Sequence, residues 1–456
     1  MLAALATFAL TGCAHDGFAP TLTHALPDRF ANSKSAKPAE IGRWWTQFRS
    51  AELDQLVALA DVENLDIAVA VAQLEAAKAQ AEIAGASLWP TLEFTDNNSR
   101  SKGSGTNSPG VISNPPPRNS LSRNFSAAYI LDVWGQNRAL LDAALHSATA
   151  SSYQVDTVRL TTTGTVVDNV LVYTANRERL DVAQRNLANA ERVLGVIRER
   201  LAAGTASEFD TAQQGTLVEN QRAAIPSLRQ ASATARTAIA LAVGKPVQSV
   251  DLKIRNLRQL RIPSLSTGVP TTLLVHRPDI RAAEQSLAAA DASVQAARAA
   301  FLPTVQITGQ TGVQSALLST LFLPQSVTWA FAANATQTIF DGGRLRGQLR
   351  VSEAQRHQLL ESYRRTVLAG IIDVENALIA LRESAAREAA QQRALELARR
   401  AFTLGEERLR QGTTDLTTLL QTQNALFQAE DGLIQVRLAR LQAVVRLALA
   451  LGGGWH

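Results

Sequence analysis

The chain has little sulfur, few aromatic rings and no long apolar run. Of 456 residues one is cysteine, Cys13, one is methionine, the initiator, and 5% are aromatic. So few rings argue against one thick globular core; the prevalence of Ala, Leu, Gln, Arg and Glu suits long helices packed side by side. No stretch reaches eighteen apolar residues, which excludes a transmembrane helix, so any passage through a membrane is made by strands. His15, His24, His146, His276, His357 and His456 show no metal-ligand spacing. The formal charge is +5, but Lys and Arg are scattered among Asp and Glu, without a block of five like charges or a basic stripe with interleaved aromatics. Nucleic-acid binding is therefore not expected. No catalytic constellation stands out, and most carboxylates read as solvated partners of arginine on helices. Neither an enzyme nor a metal or organic cofactor is expected.

What the chain does contain is itself, twice. Trp89-Pro90-Thr91 recurs as Leu302-Pro303-Thr304, Trp134-Gly135-Gln136-Asn137-Arg138 as Asp341-Gly342-Gly343-Arg344-Leu345-Arg346, and Arg200 to Thr205 as Arg408 to Thr413. Pro90 and Pro303 are 213 positions apart, whereas Gly135 and Gly343, and Gly204 and Gly412, are 208 apart. The difference falls in the Gly/Ser/Asn/Pro stretch after Pro90, so the first copy carries the longer loop. A unit of about 210 residues is too long for a solenoid repeat and reads as a duplicated half.

The N-terminus is an apolar run, Leu2 to Gly12, ending in small residues before Cys13. It is a signal-peptide core over residues 1–12, too short to span a bilayer. Leu10-Thr11-Gly12-Cys13 resembles a bacterial lipobox, which implies cleavage before Cys13 and a covalent lipid on it, a diacylglycerol and an amide-linked acyl chain such as palmitate. Ala14 in place of Asp implies sorting onward to the outer membrane. No Lys or Arg precedes Arg29, so the usual basic leader segment is absent, as a start codon assigned too far downstream would leave it.

Each half reads as helix, strand hairpin, long helix, glycine turn and return helix. Residues 137–203 contain no proline, and Leu180, Ala183, Leu187, Ala190, Leu194 and Ile197 recur at helical spacing; the stretch from Arg344 to Gln411 is likewise free of proline. A helix of this size is about 100 Å long at 1.5 Å per residue and belongs to a coiled coil. Gly204 and Gly412 suit C-caps, with acidic residues opening return helices that run to about 243, interrupted by Pro226, and to about 451. Phe125, Ala127, Tyr129, Leu131 and Val133 alternate with smaller or polar residues, as do Val327, Trp329, Phe331, Ala333 and Ala335, while Leu92, Phe94, Val305 and Ile307 start the partner strands. Period two with one apolar face fits membrane barrel strands with lipid outside and water inside. Trp89 and Trp134 fit an aromatic girdle. Four strands cannot close a barrel, and an open edge is not tolerated in lipid, so several copies must share one sheet; three give twelve strands.

This order of elements, with Arg43-Trp44-Trp45-Thr46-Gln47-Phe48 and Asn64-Leu65-Asp66-Ile67 near the start, Val269-Pro270-Thr271-Thr272-Leu273-Leu274-Val275-His276-Arg277-Pro278-Asp279-Ile280-Arg281-Ala282-Ala283-Glu284 between the halves, and Ala448 to Trp455 at the end, resembles the outer membrane factor (TolC-like) family, in particular the OprM/NodT-like lipoprotein branch of RND efflux systems. The resemblance covers essentially the whole chain. It implies a mainly α protein with membrane β: a homotrimer whose twelve-stranded barrel in outer membrane lipid continues into a twelve-helix periplasmic tunnel with an equatorial belt. The expected parts are a leader (1–12), a lipid-anchored segment (13–60), a first repeat (61–243), an equatorial linker (244–276), a second repeat (277–451) and a tail (452–456). The implied partners are a periplasmic adaptor and an inner-membrane RND pump, the chain being their passive exit duct for drugs or other small molecules. An outer membrane duct of an ABC-type (type I) exporter is the nearer alternative, and a periplasmic coiled-coil structural lipoprotein the more distant one.

The glycine turns are the implied periplasmic gate and adaptor-docking tips: Gly204, Thr205 and Ser207 in one hairpin, Gly412 and Thr413 in the other. Relatives often carry aspartates six and nine residues after the second tip glycine, where threefold symmetry makes cation-binding rings. Thr418 and Gln421 stand there here, the nearest acid is Asp415, and Asp210 occupies the sixth position of the first hairpin. A gate built on Asp415, Arg408 and Arg410 with polar contacts from Thr418 and Gln421 is expected, less sensitive to multivalent cations than its relatives.

Overall fold

The computed structural model describes residues 27–32, 42–104, 114–265 and 268–453. Cys13 and the leader, the rest of the N-terminal arm, the summit of the first hairpin loop and Trp455 lie outside the described residues. The elements are α1 (Ala51–Glu63), α2 (Leu65–Ala86), β1 (Thr91–Ser101), β2 (Arg118–Leu131), α3 (Gln136–Ala202), α4 (Glu208–Val243), the short α5 (Leu273–His276), α6 (Pro278–Ala299), β3 (Thr304–Ser315), β4 (Val327–Thr336), α7 (Arg344–Arg410) and α8 (Leu416–Ala450). The protein is mainly helical, and its described residues form two compact units, one from residues 75–150 and 283–363, the other from 27–74, 151–282 and 364–453.

In the first unit the four strands make one antiparallel sheet in the order β1-β2-β3-β4. The central pairing, β2 with β3, joins the two halves of the sequence, with Phe125 opposite Thr311 and Leu131 opposite Val305. This register puts Leu92 and Phe94, Phe125 and Tyr129, Val305 and Ile307, and Trp329 and Phe331 on one face. The opposite face carries Glu93 and Asn97, Asn124 and Ser126, Gln306, Gln310 and Gln314, and Asn334. A sheet with water on one side and lipid on the other needs this division. Phe94, Phe125, Trp329 and Phe331 are between 51% and 79% exposed in the single chain, so the apolar face has no cover of its own. Val133, expected to extend its strand, lies past β2 in a bend where its N–H bonds to Leu131 O. There Asp132 takes over the chain, accepting from the backbone N–H groups of Asn137 and Arg138 at 2.9 Å each to start α3. Asp341 does the same for the second half, accepting from Gly343 and Leu345.

In the second unit the core has two main parts. One gathers Trp44, Phe48, Leu53 and Val57 with Val170 and Leu171 of α3, Ile239 and Val243 of α4, and Leu257 and Leu260 of the linker. The other lies along the helical hairpins, where Leu194 and Ile197 of α3 and Leu217 of α4 meet Phe402 of α7 and Leu419 and Phe427 of α8. The return arm α4 is not interrupted: it runs through Pro226, which the ring alone would disfavour. Pro226 is exposed, while Ile225 is buried and Leu217, Val218, Ile239 and Val243 anchor the helix on either side, so packing outweighs the one missing hydrogen bond. No helix among the described residues is long and apolar enough to cross a membrane.

Candidate functional site

The site is the pair of tips where α3 turns into α4 and α7 into α8. Both turns use the same hydrogen bonds. Gly204, at φ +73°, donates to Leu201 O at 2.9 Å, and Thr205 N donates to Arg200 O at 2.8 Å. Gly412, at φ +72°, donates to Leu409 O, and Thr413 N to Arg408 O at 2.9 Å. These are Schellman closures, which need a left-handed residue at C′ and so favour glycine. The two threonine hydroxyls repeat the pattern, donating to the Arg200 and Arg408 carbonyls at 3.1 and 3.2 Å.

The return helices begin differently. Ser207 caps α4 through a capping box: Asp210 N donates to Ser207 Oγ at 3.2 Å, and Ser207 N donates to Asp210 Oδ2 at 2.9 Å. Asp415 alone caps α8, accepting from Thr418 N at 2.7 Å. It is the N-cap itself and not a residue of the first turn. The hydrogen bond from the Thr418 backbone, followed by that from its side chain, holds the Asp415 carboxyl below the usual carboxylate range.

Asp210 and Asp415 are thus engaged in starting helices, while Glu208 stands exposed in the first turn of α4. Thr418 and Gln421 are exposed on α8 and supply no carboxylate. Within one chain Asp415 is not joined to Arg408 or Arg410; both arginines are exposed and have no ion-pair partner among the described residues. The cation that ties the two tips together is one the sequence reading did not single out. Arg200 Nη2 donates to Leu409 O at 2.8 Å, from the end of α3 to the last turn of α7. Its repeat position is that of Arg408, so comparison of the two copies could have marked it. Further up the hairpins Arg192 pairs with Glu406 at 2.6 Å.

Behind the tips lie two fully buried amides, Gln214 of α4 and Gln423 of α8. Gln214 Nε2 donates to Ala190 O at 2.8 Å and stands 3.5 Å from Gln423 Oε1. Gln214 Oε1 and Gln423 Nε2 are left without partners. An unsatisfied buried amide group costs about 1–3 kcal/mol. No group of three or more metal-ligating side chains occurs among the described residues.

The family model for outer membrane efflux proteins matches residues 56–245 and 269–453. The pyoverdine export outer membrane protein OpmQ of Pseudomonas putida is 38% identical over 96% of this chain and 94% of its own length. The toluene efflux pump outer membrane protein TtgC, also of Pseudomonas putida, is 29% identical over 94% of this chain and 88% of its own. Among solved structures, the outer-membrane channel OprN superposes with a TM-score of 0.87 at 26% identity, covering 96% of this chain and 99% of that one.

Proposed function

Because the chain belongs to the outer membrane efflux protein family and is an outer membrane efflux channel, a transport duct and not an enzyme, we propose that it is the trimeric, lipid-anchored exit duct of a tripartite pump of the RND type. The observation that carries this reading is the sheet. From Leu92 to Phe94 and across Phe125 to Leu131 its apolar side chains share one face, while farther along the same face carries the Asp96–Arg123 ion pair at 3.3 Å, and β1 and β4 each leave one edge unpaired within the chain. Edges cannot stay open in lipid, and three copies of four strands close a twelve-stranded barrel. The lipobox at Cys13 and the Arg277-Pro278-Asp279-Ile280 signature support the lipoprotein branch. Transport is passive, and the pump sets the cargo.

The tips face the adaptor in this reading. Gly204, Thr205 and Ser207, with Gly412 and Thr413, form small turns that a second helical hairpin can approach closely. The gate uses Arg408, Arg410, Asp415, Thr418, Gln421 and Asp210. With Asp210 and Asp415 engaged as caps and no carboxylate at positions 418 and 421, trivalent cations at low micromolar concentration leave single-channel conductance unblocked; block would contradict this gate.

The partner is identified by cross-linking from Glu208→Cys, which leaves the Ser207 cap intact; with Cys13 lipidated, this is the one reactive thiol. Capture of an RND adaptor in native envelopes is the expected result. An adaptor of an ABC-type exporter moves the duct to that machine, and absence of any adaptor contradicts the proposal.

A further inference from the structure

The positive charge of this protein is concentrated in one place. Residues 42–50 and 245–262 hold seven cations and one acid, Asp251, a net +6 against +5 for the whole chain. Outside these residues the chain is close to neutral, and its helical arginines are widely paired, as in Arg179 with Asp431 and Arg222 with Glu191. Here Arg43, Arg49, Lys253, Arg255, Arg258 and Arg261 are exposed and have no ion-pair partner among the described residues. Only Lys245 is paired, with Glu63 at 2.8 Å.

These cations sit on a fixed frame. Glu52 accepts from Lys253 N and Ile254 N at 2.7 and 3.1 Å, Glu178 accepts from Leu257 N at 2.9 Å, and Arg261 N donates to Phe48 O at 3.1 Å. Leu252 and Ile254 pack inward against the core while Lys253 and Arg255 alternate outward. Glu52 and Glu178, which hold this backbone, and Glu63, paired with Lys245, count with Asp251 against the seven cations, so the belt with its frame carries a net +3. Like charges held this way repel one another, a cost that an opposing anion removes.

Arg258 also lines a cavity of about 150 Å³ with Arg185, Arg399 and Arg437, four guanidinium groups against the two carboxylates of Glu178 and Glu430. Glu430 pairs with Arg399 at 3.0 Å and the buried Glu388 with Arg437 at 3.2 Å, while Arg185 and Arg258 have no such partner. Two free guanidinium groups beside a small cavity suit a planar carboxylate, which arginine binds in bidentate fashion. Of the rings in this segment Trp44 and Phe48 are buried and Trp45 is half-buried against the core.

We propose that this belt binds the carboxylate-bearing peptide stems of the peptidoglycan wall, the cations of the linker tracking successive stems and the Arg185–Arg258 cavity taking a terminal carboxylate. The proposal rests on the reading that the helical part lies in the periplasm. It fixes the duct laterally without touching its lumen.

The test is co-sedimentation of the full-length protein in detergent with purified sacculi. The wild type pellets at low ionic strength and is released by high salt. The combined change Lys253→Glu, Arg255→Glu, Arg258→Glu and Arg261→Glu lowers binding by at least about tenfold, as expected for a screened multi-charge contact. Sacculi whose carboxyls have been amidated lose wild-type binding to the same degree, which tests the proposal even if the variant fails to fold. Failure of the wild type to pellet, binding indifferent to charge reversal or amidation, or binding to lipopolysaccharide vesicles alone overturns it. Single-channel conductance of the same preparations reads the duct separately: unaltered conductance with lost wall binding is the expected result for the variant.

Discussion

The two halves of the chain lock the end of each return helix in the same place by different chemistry. In the first half Asn64 precedes α2; its Oδ1 caps that helix by accepting from Ile67 N at 2.9 Å, and its Nδ2 donates to Ala242 O at 2.7 Å, near the end of α4. In the second half Arg277 precedes α6 and its Nη1 donates to Ala450 O at 3.0 Å, at the end of α8. Asn64 and Arg277 are 213 positions apart, and Ala242 and Ala450 are 208 apart, the two offsets of the duplication. A neutral amide does both jobs unaided. The guanidinium needs Asp279, at 3.0 and 2.7 Å, and Asp373, at 3.2 Å, to balance its charge. Burial alone would lower the Arg277 pKa, but these two carboxylates outweigh it and hold the group firmly charged. Duplication has preserved the position of the lock and let its chemistry diverge.

The sharpest way to break this comparison is to remove the charged lock. Arg277→Ala leaves a carbonyl and two partly exposed carboxylates without their partner and costs about 2–3 kcal/mol, solvent at Asp279 and Asp373 sparing it the full penalty of a buried pair; thermal or urea unfolding of the detergent-solubilised protein measures it. Next come the glycines that close both locks. Gly244 and Gly452 have φ of +75° and +78°, and a Cβ on either would strike backbone, the Glu63 carbonyl in one half and the His276 carbonyl in the other. Gly244→Ala and Gly452→Ala each cost at least about 2 kcal/mol from left-handed strain and overpacking. Near-equal losses are expected; a large difference would show that the halves share a position and not a lock. Asn64→Ala, which removes a cap and one buried hydrogen bond, costs about 1–2 kcal/mol.

The smallest effect separates the tips by pH. Asp415 is held below its ordinary range, so its capping contribution is fully present above the unfolded carboxylate value of 3.8 and is lost as pH falls through the folded value. On protonation the α8 start keeps only the weaker acceptor of a neutral carboxyl, whereas Ser207 Oγ still accepts from Asp210 N in α4. Amide exchange at acid pH should rise at Thr418 before Asp210. Equal exchange would mean that the two caps are equivalent.

Much of this was legible in the residues. Period two from Phe125 to Leu131, with Phe94 and Trp329 on matching phases, marks a two-faced sheet because adjacent side chains on a strand point to opposite sides. Gly204 and Gly412, each followed by threonine, mark turns because only a residue at ease with positive φ closes a helix this way. What the residues did not disclose is what depends on a distant partner. Pro226 breaks a helix in isolation but not one anchored by Ile225 and Ile239. Arg200 reaches a backbone carbonyl on α7, and carbonyls carry no sequence signal. Asn64 and Arg277 do one job with unlike side chains, so pattern matching passes over them although the repeat offset aligns them.

The most direct measurement is a disulfide across the open sheet edges. With one cysteine replacing Thr95 on β1 and a second replacing Ala330, Ala332 or Asn334 on β4 in turn, oxidation of the protein in outer membranes should give one covalent species of three chains for the pair in register. Chains that stay uncross-linked for all three pairs, or a ladder that runs past three, would contradict a barrel closed by three copies.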